Sequence, residues 1–400
     1  MKSKISSDQA IRDIQNFGEE GGVVPVIDVA STSTFLSPGD MEKVFRGELE
    51  GCYLYSRHSN PTVNMFGKKL AAMEGMEAAL GVASGMSAVA ATVDQMVPRG
   101  GHIVSSRTVY GGTYALFKNI LPKRGVDVSF VDSSDISQIE KAIRPETRVI
   151  YIETVSNPLL EVTDLEKVGA LCKKRGIKMV VDNTFTPLIC SPGRWGADVV
   201  IYSCTKYISG ASDMIAGAIV SSQEFISSLI DVNTGVVMLT GPVMDPRVAH
   251  ELYLRLDHLP VRMRAHSAAA MDFSLRAAEA GVPVIYPGLA SHPQHNVLER
   301  LMNSGFGFGG MATLRCDTPK LAIELAAELQ KAKFGLYAVS LGFSRTLMTC
   351  PALSTSSEIP VEEQTQMGLS PGLLRLSLGY VGDGAVMFER FMRCYKEIIG

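Results

Sequence analysis

A lysine stands at position 206 in Ser203-Cys204-Thr205-Lys206-Tyr207, directly after the apolar run Val199–Tyr202. The run reads as a buried strand, and the carboxyl ends of parallel strands are where open α/β sheets bind ligands. An ε-amine placed there can attack a carbonyl carbon if burial or a neighbouring cation lowers its pKa. Hydroxyls at Ser203 and Thr205 flank it and suit hydrogen bonds to a phosphate. Standing alone, the window describes a surface lysine better than a nucleophile. It has a companion in Met179-Val180-Val181-Asp182-Asn183-Thr184, which puts an acid at the end of the preceding strand. A carboxylate so placed can pair with a protonated pyridine nitrogen and keep such a ring an electron sink. A strand-end Asp followed by a strand-end Lys is a stronger signal than either residue separately.

Weaker signals accompany this pair. Ala83-Ser84-Gly85-Met86-Ser87-Ala88 opens a helix with small residues, so backbone N–H groups and the helix dipole can receive an anion at Gly85 and Met86. Tyr110, in Val109-Tyr110-Gly111-Gly112, follows a strand; it can stack on a planar ring or serve as a half-buried core tyrosine. In Tyr53-Leu54-Tyr55-Ser56-Arg57, Tyr55 and Arg57 fall on one side of an extended chain, and arginine suits bidentate phosphate binding. Arg375 interrupts the apolar strand Leu373–Leu378 and needs an anion, which a substrate carboxylate or a structural salt bridge would supply. His292-Pro293-Gln294-His295 has two possible ligands but no third, so no metal is expected.

The elements that must position these residues alternate in type. Strand-like runs at His102–Ser105, Val126–Val131, Arg148–Glu153, Lys178–Val181, Val199–Tyr202 and Ile215–Val220 are interleaved with helical stretches. These stretches are Val63–Met73, Ser87–Met96, Thr113–Leu121, Ile136–Ile143 and Leu165–Lys174, the last with a capping box from Thr163 to Glu166. The alternation predicts an α/β fold with a mostly parallel sheet covered on both faces. Residues 1–60 are irregular apart from a helical possibility at Asp8–Phe17, and are expected to form an arm that packs on a neighbouring subunit. Residues 61–245 form the α/β domain in this reading. Residues 246–400 form a smaller α+β domain with a long helix over Val248–Ala280, a helix near Pro319–Ala332 and strands at Pro283–Pro287, Met311–Arg315 and Leu373–Leu378.

Composition narrows the classes. A chain of 400 residues with 46% hydrophobic and 20% charged residues has the make-up of an ordinary globular protein. A net charge of −3 without basic clusters gives no footprint for nucleic acid. Met1-Lys2-Ser3-Lys4 leads into a mixed polar stretch, so no secretory peptide is expected, and apolar windows such as Ile215–Val220 are too short for a membrane span. Seven scattered cysteines read as reduced thiols of a cytoplasmic protein. No Gly-x-Gly-x-x-Gly follows the first strand, which disfavours a dinucleotide-binding dehydrogenase.

Taken in order, Tyr55-Ser56-Arg57, Asn60-Pro61-Thr62, Ser84-Gly85-Met86, Tyr110-Gly111-Gly112-Thr113, Ser156-Asn157-Pro158, Val181-Asp182-Asn183-Thr184, Ser203 with Thr205-Lys206-Tyr207, and Ser340-Leu341-Gly342 make a specific set. The set resembles the Cys/Met-metabolism family of pyridoxal 5′-phosphate (PLP) enzymes, over about Ile27 to Gly382. That family includes cystathionine γ-synthase, cystathionine lyases, methionine γ-lyase and O-acetylhomoserine sulfhydrylase. The resemblance implies a fold-type I, aspartate-aminotransferase-like architecture, with a seven-stranded sheet, and a homotetramer of two catalytic dimers with shared sites. It implies that Lys206 carries PLP, Asp182 pairs with the pyridine nitrogen, Tyr110 stacks on the ring and acts as general acid, and Asn157 touches the phenolic oxygen. Gly85, Met86, Ser203 and Thr205 would hold the phosphate, with Tyr55 and Arg57 from the neighbouring subunit. Arg375 and the Ser340 backbone would hold the substrate carboxylate.

Finer motifs are most similar to the plant-type methionine γ-lyases: Gly241-Pro242-Val243-Met244, His292-Pro293-Gln294-His295, Leu347-Met348-Thr349-Cys350 with Ser354-Thr355-Ser356-Ser357, and Ser370-Pro371-Gly372-Leu373. Val339 stands where cystathionine-handling members have Glu. Gly112 stands where several bacterial methionine γ-lyases have Cys, and Ala211 where many members have His. The implied reaction is α,γ-elimination of L-methionine to methanethiol, 2-oxobutanoate and ammonia. The same residues would serve O-acetylhomoserine sulfhydrylase or cystathionine-type γ-replacement, because all share the steps before the γ-group departs. A non-catalytic PLP-binding protein is disfavoured by Lys206, Asp182, Tyr110 and Arg375 occurring together.

Overall fold

The computed structural model describes all residues except 1–5, 15–21, 36, 47, 50 and 355–359. Seven strands, β1 (Ala78–Val82), β2 (His102–Ser106), β3 (Asp127–Val131), β4 (Thr147–Glu153), β5 (Lys178–Asp182), β6 (Val199–Tyr202) and β7 (Gly217–Ser221), form one sheet in the order β1-β7-β6-β5-β4-β2-β3. β7 runs antiparallel to both its neighbours, and the other pairings are parallel. Near-continuous apolar runs in β4, β5 and β6 follow from burial on both faces. Ile150, Ile152, Met179, Val181 and Val200 join one core with the helices Pro61–Glu74 and Leu165–Arg175. Val149, Tyr151, Val180, Val199 and Ile201 join another core with the helix Gly85–Met96.

A second sheet of five strands comprises β8 (Val284–Ile285), β9 (Met311–Arg315), β10 (Leu336–Tyr337), β11 (Leu347–Thr349) and β12 (Leu373–Ser377), in the order β10-β11-β12-β9-β8. Helices Pro319–Lys331 and Gly384–Ile398 pack on it through Leu325, Leu329, Phe391 and Cys394. The 34-residue helix Pro246–Glu279 ties the halves together: Leu252, Leu256 and Met263 lie in the core of the large sheet, and Ala270, Phe273 and Ala277 in that of the second.

Several expectations need correction. The cap of Leu165–Arg175 is Asp164, whose side chain accepts from the Lys167 N–H, rather than Thr163. Thr163 is buried, with its hydroxyl 2.9 Å from that of Ser133, so the next residue caps. The helix expected over Thr113–Leu121 begins at Gly111, becomes a π-turn at Leu116–Ile120 and tightens to a 3₁₀ turn at Leu121–Arg124, where Pro122 lacks the N–H a regular helix would use. In the N-terminal arm the described helix is Ser7–Asp13; positions 15–17 of the expected helix lie outside the described residues, as do Thr355, Ser356 and Ser357. Ile11 of that helix joins the chain's own main core, so part of the arm packs on its own subunit.

Among the described residues no helix is long and apolar enough to cross a membrane.

Candidate active site

The connection from β2 runs outward to β3 at the sheet edge, whereas that from β4 runs the other way to β5. Such a reversal opens a crevice at the carboxyl ends of the strands. A cavity of about 310 Å³ lies there, lined by residues after β2, β4, β5 and β6 and by a segment of the second half of the chain. The residues assigned catalytic, cofactor or substrate contacts from sequence all line it, except Tyr55 and Arg57. These two lie elsewhere on the chain: the Arg57 guanidinium sits over the Tyr55 ring, 5.4 Å from its centroid, and Nη1 donates to the Met238 carbonyl at 2.8 Å.

Lys206 is held by a tight turn in which its N–H donates to the Ser203 carbonyl at 3.1 Å. Its Nζ donates to Ser340 Oγ at 2.8 Å. Burial, and then the positive charge of Arg375, lower its pKa to about 8. A good part of the amine is therefore neutral, and nucleophilic, near physiological pH. Ser340 has a φ of 88°, a left-handed backbone that residues with a β-carbon seldom adopt.

Arg375, on β12, is 2% exposed. Nη1 donates to Asn157 Oδ1 and Nη2 to the Ser340 carbonyl, both at 2.9 Å, while Nε has no partner. Burial is the main reason its pKa falls to about 10, so it remains charged at neutral pH. The described ion pairs include none with Arg375. A buried cation held only by neutral oxygens favours the carboxylate reading over the structural salt bridge.

Asp182, at the end of β5, accepts from the Thr184 N–H at 3.0 Å, and burial pushes its carboxyl above the usual range. The helix Gly85–Met96 presents its N-terminus to the same cavity, capped by Ser84 Oγ, which accepts from the Ser87 N–H at 3.0 Å. Gly85 is required for that approach. A β-carbon on it would lie 2.7 Å from Ser203 Cβ and 3.0 Å from Ser203 Cα. The Thr205 hydroxyl donates to the Ala216 carbonyl at 3.2 Å and accepts from the Ala216 N–H at 3.0 Å, so donating to a phosphate requires it to give up the first bond. Tyr110 is 43% exposed at the cavity. A β-carbon on Gly112 would fall 2.6 Å from Tyr110 Cε1, so the glycine leaves room for the ring to fold back.

Sequence reasoning missed Glu153, Thr113 and Phe185, and did not place Ile215 at the site, although all four line the cavity. Glu153 carried a readable signal: it is an acid closing the apolar run of β4, the kind of feature that exposed Asp182. His292 and His295 turn to local backbone, His295 Nδ1 lying 2.8 Å from the Pro287 carbonyl and His292 Nδ1 accepting from the Gln294 N–H at 3.2 Å.

A crevice amine of lowered pKa, a buried strand-end acid and a helix N-terminus are a donor set fitted to PLP, whose aldehyde, pyridine nitrogen and phosphate they match in kind. The family model for Cys/Met metabolism PLP-dependent enzymes matches residues 8–382. The chain belongs to that family. It is 42% identical to methionine γ-lyase of Arabidopsis thaliana over 97% of this chain and 90% of the other. It is 36% identical to cystathionine γ-lyase of Bacillus subtilis, over 86% and 89%. A solved structure from Campylobacter jejuni, described as an O-acetylhomoserine (thiol)-lyase with a pyridoxyl-lysine phosphate, superposes with a TM-score of 0.89 at 25% identity, covering 98% of this chain and 100% of that one. Like the rest of its Cys/Met-metabolism family, the chain is a PLP-dependent enzyme of fold type I.

Proposed function

We propose that the protein is a methionine γ-lyase, cleaving L-methionine to methanethiol, 2-oxobutanoate and ammonia. The observation that carries this reading is the wall beside the carboxylate-binding residues. Val339 and Ile215 line the cavity next to Ser340 and Thr205, while its two carboxylates, Glu153 and Asp182, sit at the ends of β4 and β5. A small apolar thioether suits that wall; among the described residues the acid on its outer side, Asp213, is paired with Arg255 at 2.7 Å, so a distal ammonium group would meet no free carboxylate there.

Arg375 binds the substrate carboxylate, filling the guanidinium's unmet hydrogen-bonding capacity, and the Ser340 backbone shares the contact. The N–H groups of Gly85 and Met86, the Ser203 hydroxyl and the Thr205 hydroxyl hold the phosphate, while Lys206 is the point of covalent attachment. Asp182 balances the pyridinium, and Asn157, whose Oδ1 is engaged by Arg375, keeps its amide N–H groups for the phenolic oxygen. Bound PLP supplies an electron sink for the negative charge that develops when Cα and then Cβ lose protons. Lys206, as the free amine, removes the Cα proton and relays protons between the carbons. The Tyr110 hydroxyl gives a proton to the departing sulfur.

Tyr55 and Arg57 complete the phosphate site of a neighbouring subunit in a homotetramer. Their position outside their own cavity supports this, as do the exposed apolar residues Val23, Val26 and Val29 in the arm. Residues 1–60 are the arm, 61–245 the PLP-binding domain and 246–400 the C-terminal domain, a division supported by the confinement of each sheet to its own stretch of chain. Seven free cysteines support a reducing compartment, the cytoplasm.

Incubation with L-methionine alone tests the function. Release of 2-oxobutanoate and methanethiol is expected; turnover only with O-acetylhomoserine and sulfide would assign γ-replacement instead.

A further inference from the structure

Two buried acids face the same cavity from adjacent strands. Glu153 ends β4 and Asp182 ends β5, and the two are register partners in a parallel pairing, so their side chains project to the same side of the sheet. Asp182 has its role in the cofactor site. Glu153, 7% exposed, does something else. Its Oε1 accepts from the Tyr110 N–H at 2.8 Å, and its carboxyl also receives the Asn157 N–H. One carboxyl thus joins the loop after β2, which carries Tyr110, to the loop after β4, which carries Asn157. Asn157 is in turn the acceptor for Arg375. The short helix beginning at Gly111 has no side-chain cap from Tyr110, and the Glu153 carboxyl receives the Tyr110 N–H just ahead of it.

We propose that Glu153 is a positioning residue that fixes the backbone at Tyr110 and Asn157 around the PLP ring while leaving the negative charge of the carboxyl pair to Asp182. Two neighbouring buried carboxyls do not both ionise readily. Asp182 is the one called on to balance a pyridinium, so the proton resides on Glu153. Burial, followed by the negative charge of Asp182, drives the Glu153 carboxyl well above the usual carboxylate range, in agreement with that division. A neutral carboxyl still offers a carbonyl oxygen to both N–H groups, which is all the anchoring requires.

The inference rests on the PLP site but not on the identity of the γ-substrate, so it is tested without substrate. Holoenzyme of the wild type, Glu153→Gln and Glu153→Ala is stripped of PLP and titrated with it, following the visible band of the bound cofactor. Glutamine keeps the volume and the acceptor oxygen and removes the ionisable proton. Its PLP dissociation constant is expected to stay within about threefold of the wild type with an unshifted band. Alanine leaves two backbone N–H groups without their acceptor and is expected to weaken PLP binding at least about tenfold. Thermal unfolding of the stripped proteins guards against a folding defect, and Glu153→Gln carries the test if Glu153→Ala fails to fold. A glutamine variant as weak as alanine, or with a shifted band, would show that the charge is needed and overturn the proposal. An alanine variant that binds like the wild type would overturn it as well. Failure to cleave methionine would count against the functional reading and leave these comparisons intact.

Discussion

Lys206 Nζ lies 2.8 Å from Ser340 Oγ, joining the loop after β6 of the large sheet to the segment between β10 and β11 of the second. The same serine offers its carbonyl to Arg375 from a left-handed backbone of φ 88°. One residue therefore touches both the amine proposed to move protons and the guanidinium proposed to bind the substrate carboxylate.

Replacing Ser340 with Ala removes the acceptor for the amine and leaves the carbonyl contact to Arg375. We expect kcat to fall about tenfold, as for the loss of one hydrogen bond to a charged group, with KM changing less. Steady-state kinetics check this; a KM effect alone would mean the hydroxyl serves binding only.

Arg375→Met separates a substrate-binding cation from a structural one. Removing an uncompensated buried charge is expected to leave thermal stability equal or raised, while kcat/KM falls about 100-fold through loss of the carboxylate partner. A large drop in melting temperature with unchanged kcat/KM would reverse the assignment.

Only the neutral form of the Lys206 amine attacks an aldehyde, and its pKa is lowered to about 8 by burial and by Arg375. Below that value the amine is protonated and slow; above it the neutral form prevails. The rate at which stripped enzyme recaptures PLP should therefore rise through pH 8, well below the range of an ordinary lysine. Stopped-flow absorbance measures this directly.

Gly85→Ala would set a β-carbon 2.7 Å from Ser203 Cβ and 3.0 Å from its Cα, forcing the helix N-terminus away from the Lys206 loop. PLP affinity is expected to drop about tenfold or more, in line with the cost of overpacking a tight contact. Equilibrium dialysis of the cofactor reads it.

Much of this site was legible because its residues break local pattern. Asp182 and Arg375 are charges attached to apolar strands, and burial on both faces made β4, β5 and β6 stand out as continuous apolar runs. β1 went unread because Ala78-Ala79-Leu80-Gly81-Val82 has little β-branched character; its place comes from antiparallel pairing with β7, a long-range contact. The shift of the cap from Thr163 to Asp164 depends on Ser133, thirty residues away, which engages the threonine hydroxyl. Tyr55 and Arg57 read as a phosphate-binding pair, yet they lie outside their own chain's cavity, and the phosphate they are proposed to hold is a neighbouring subunit's. Glu153 closes an apolar run as Asp182 does, but no strand-end lysine follows on the next strand to single it out; the register sets it beside Asp182.

The proposed chemistry depends on a covalent bond between PLP and the amine of Lys206. Borohydride reduction of the holoenzyme, proteolysis and mass spectrometry of the peptides would locate it. The predicted result is a single pyridoxyl-modified peptide, carrying the label on Lys206 and absent from Lys206→Ala. Label on another lysine, or none on protein that retains Lys206, would contradict it.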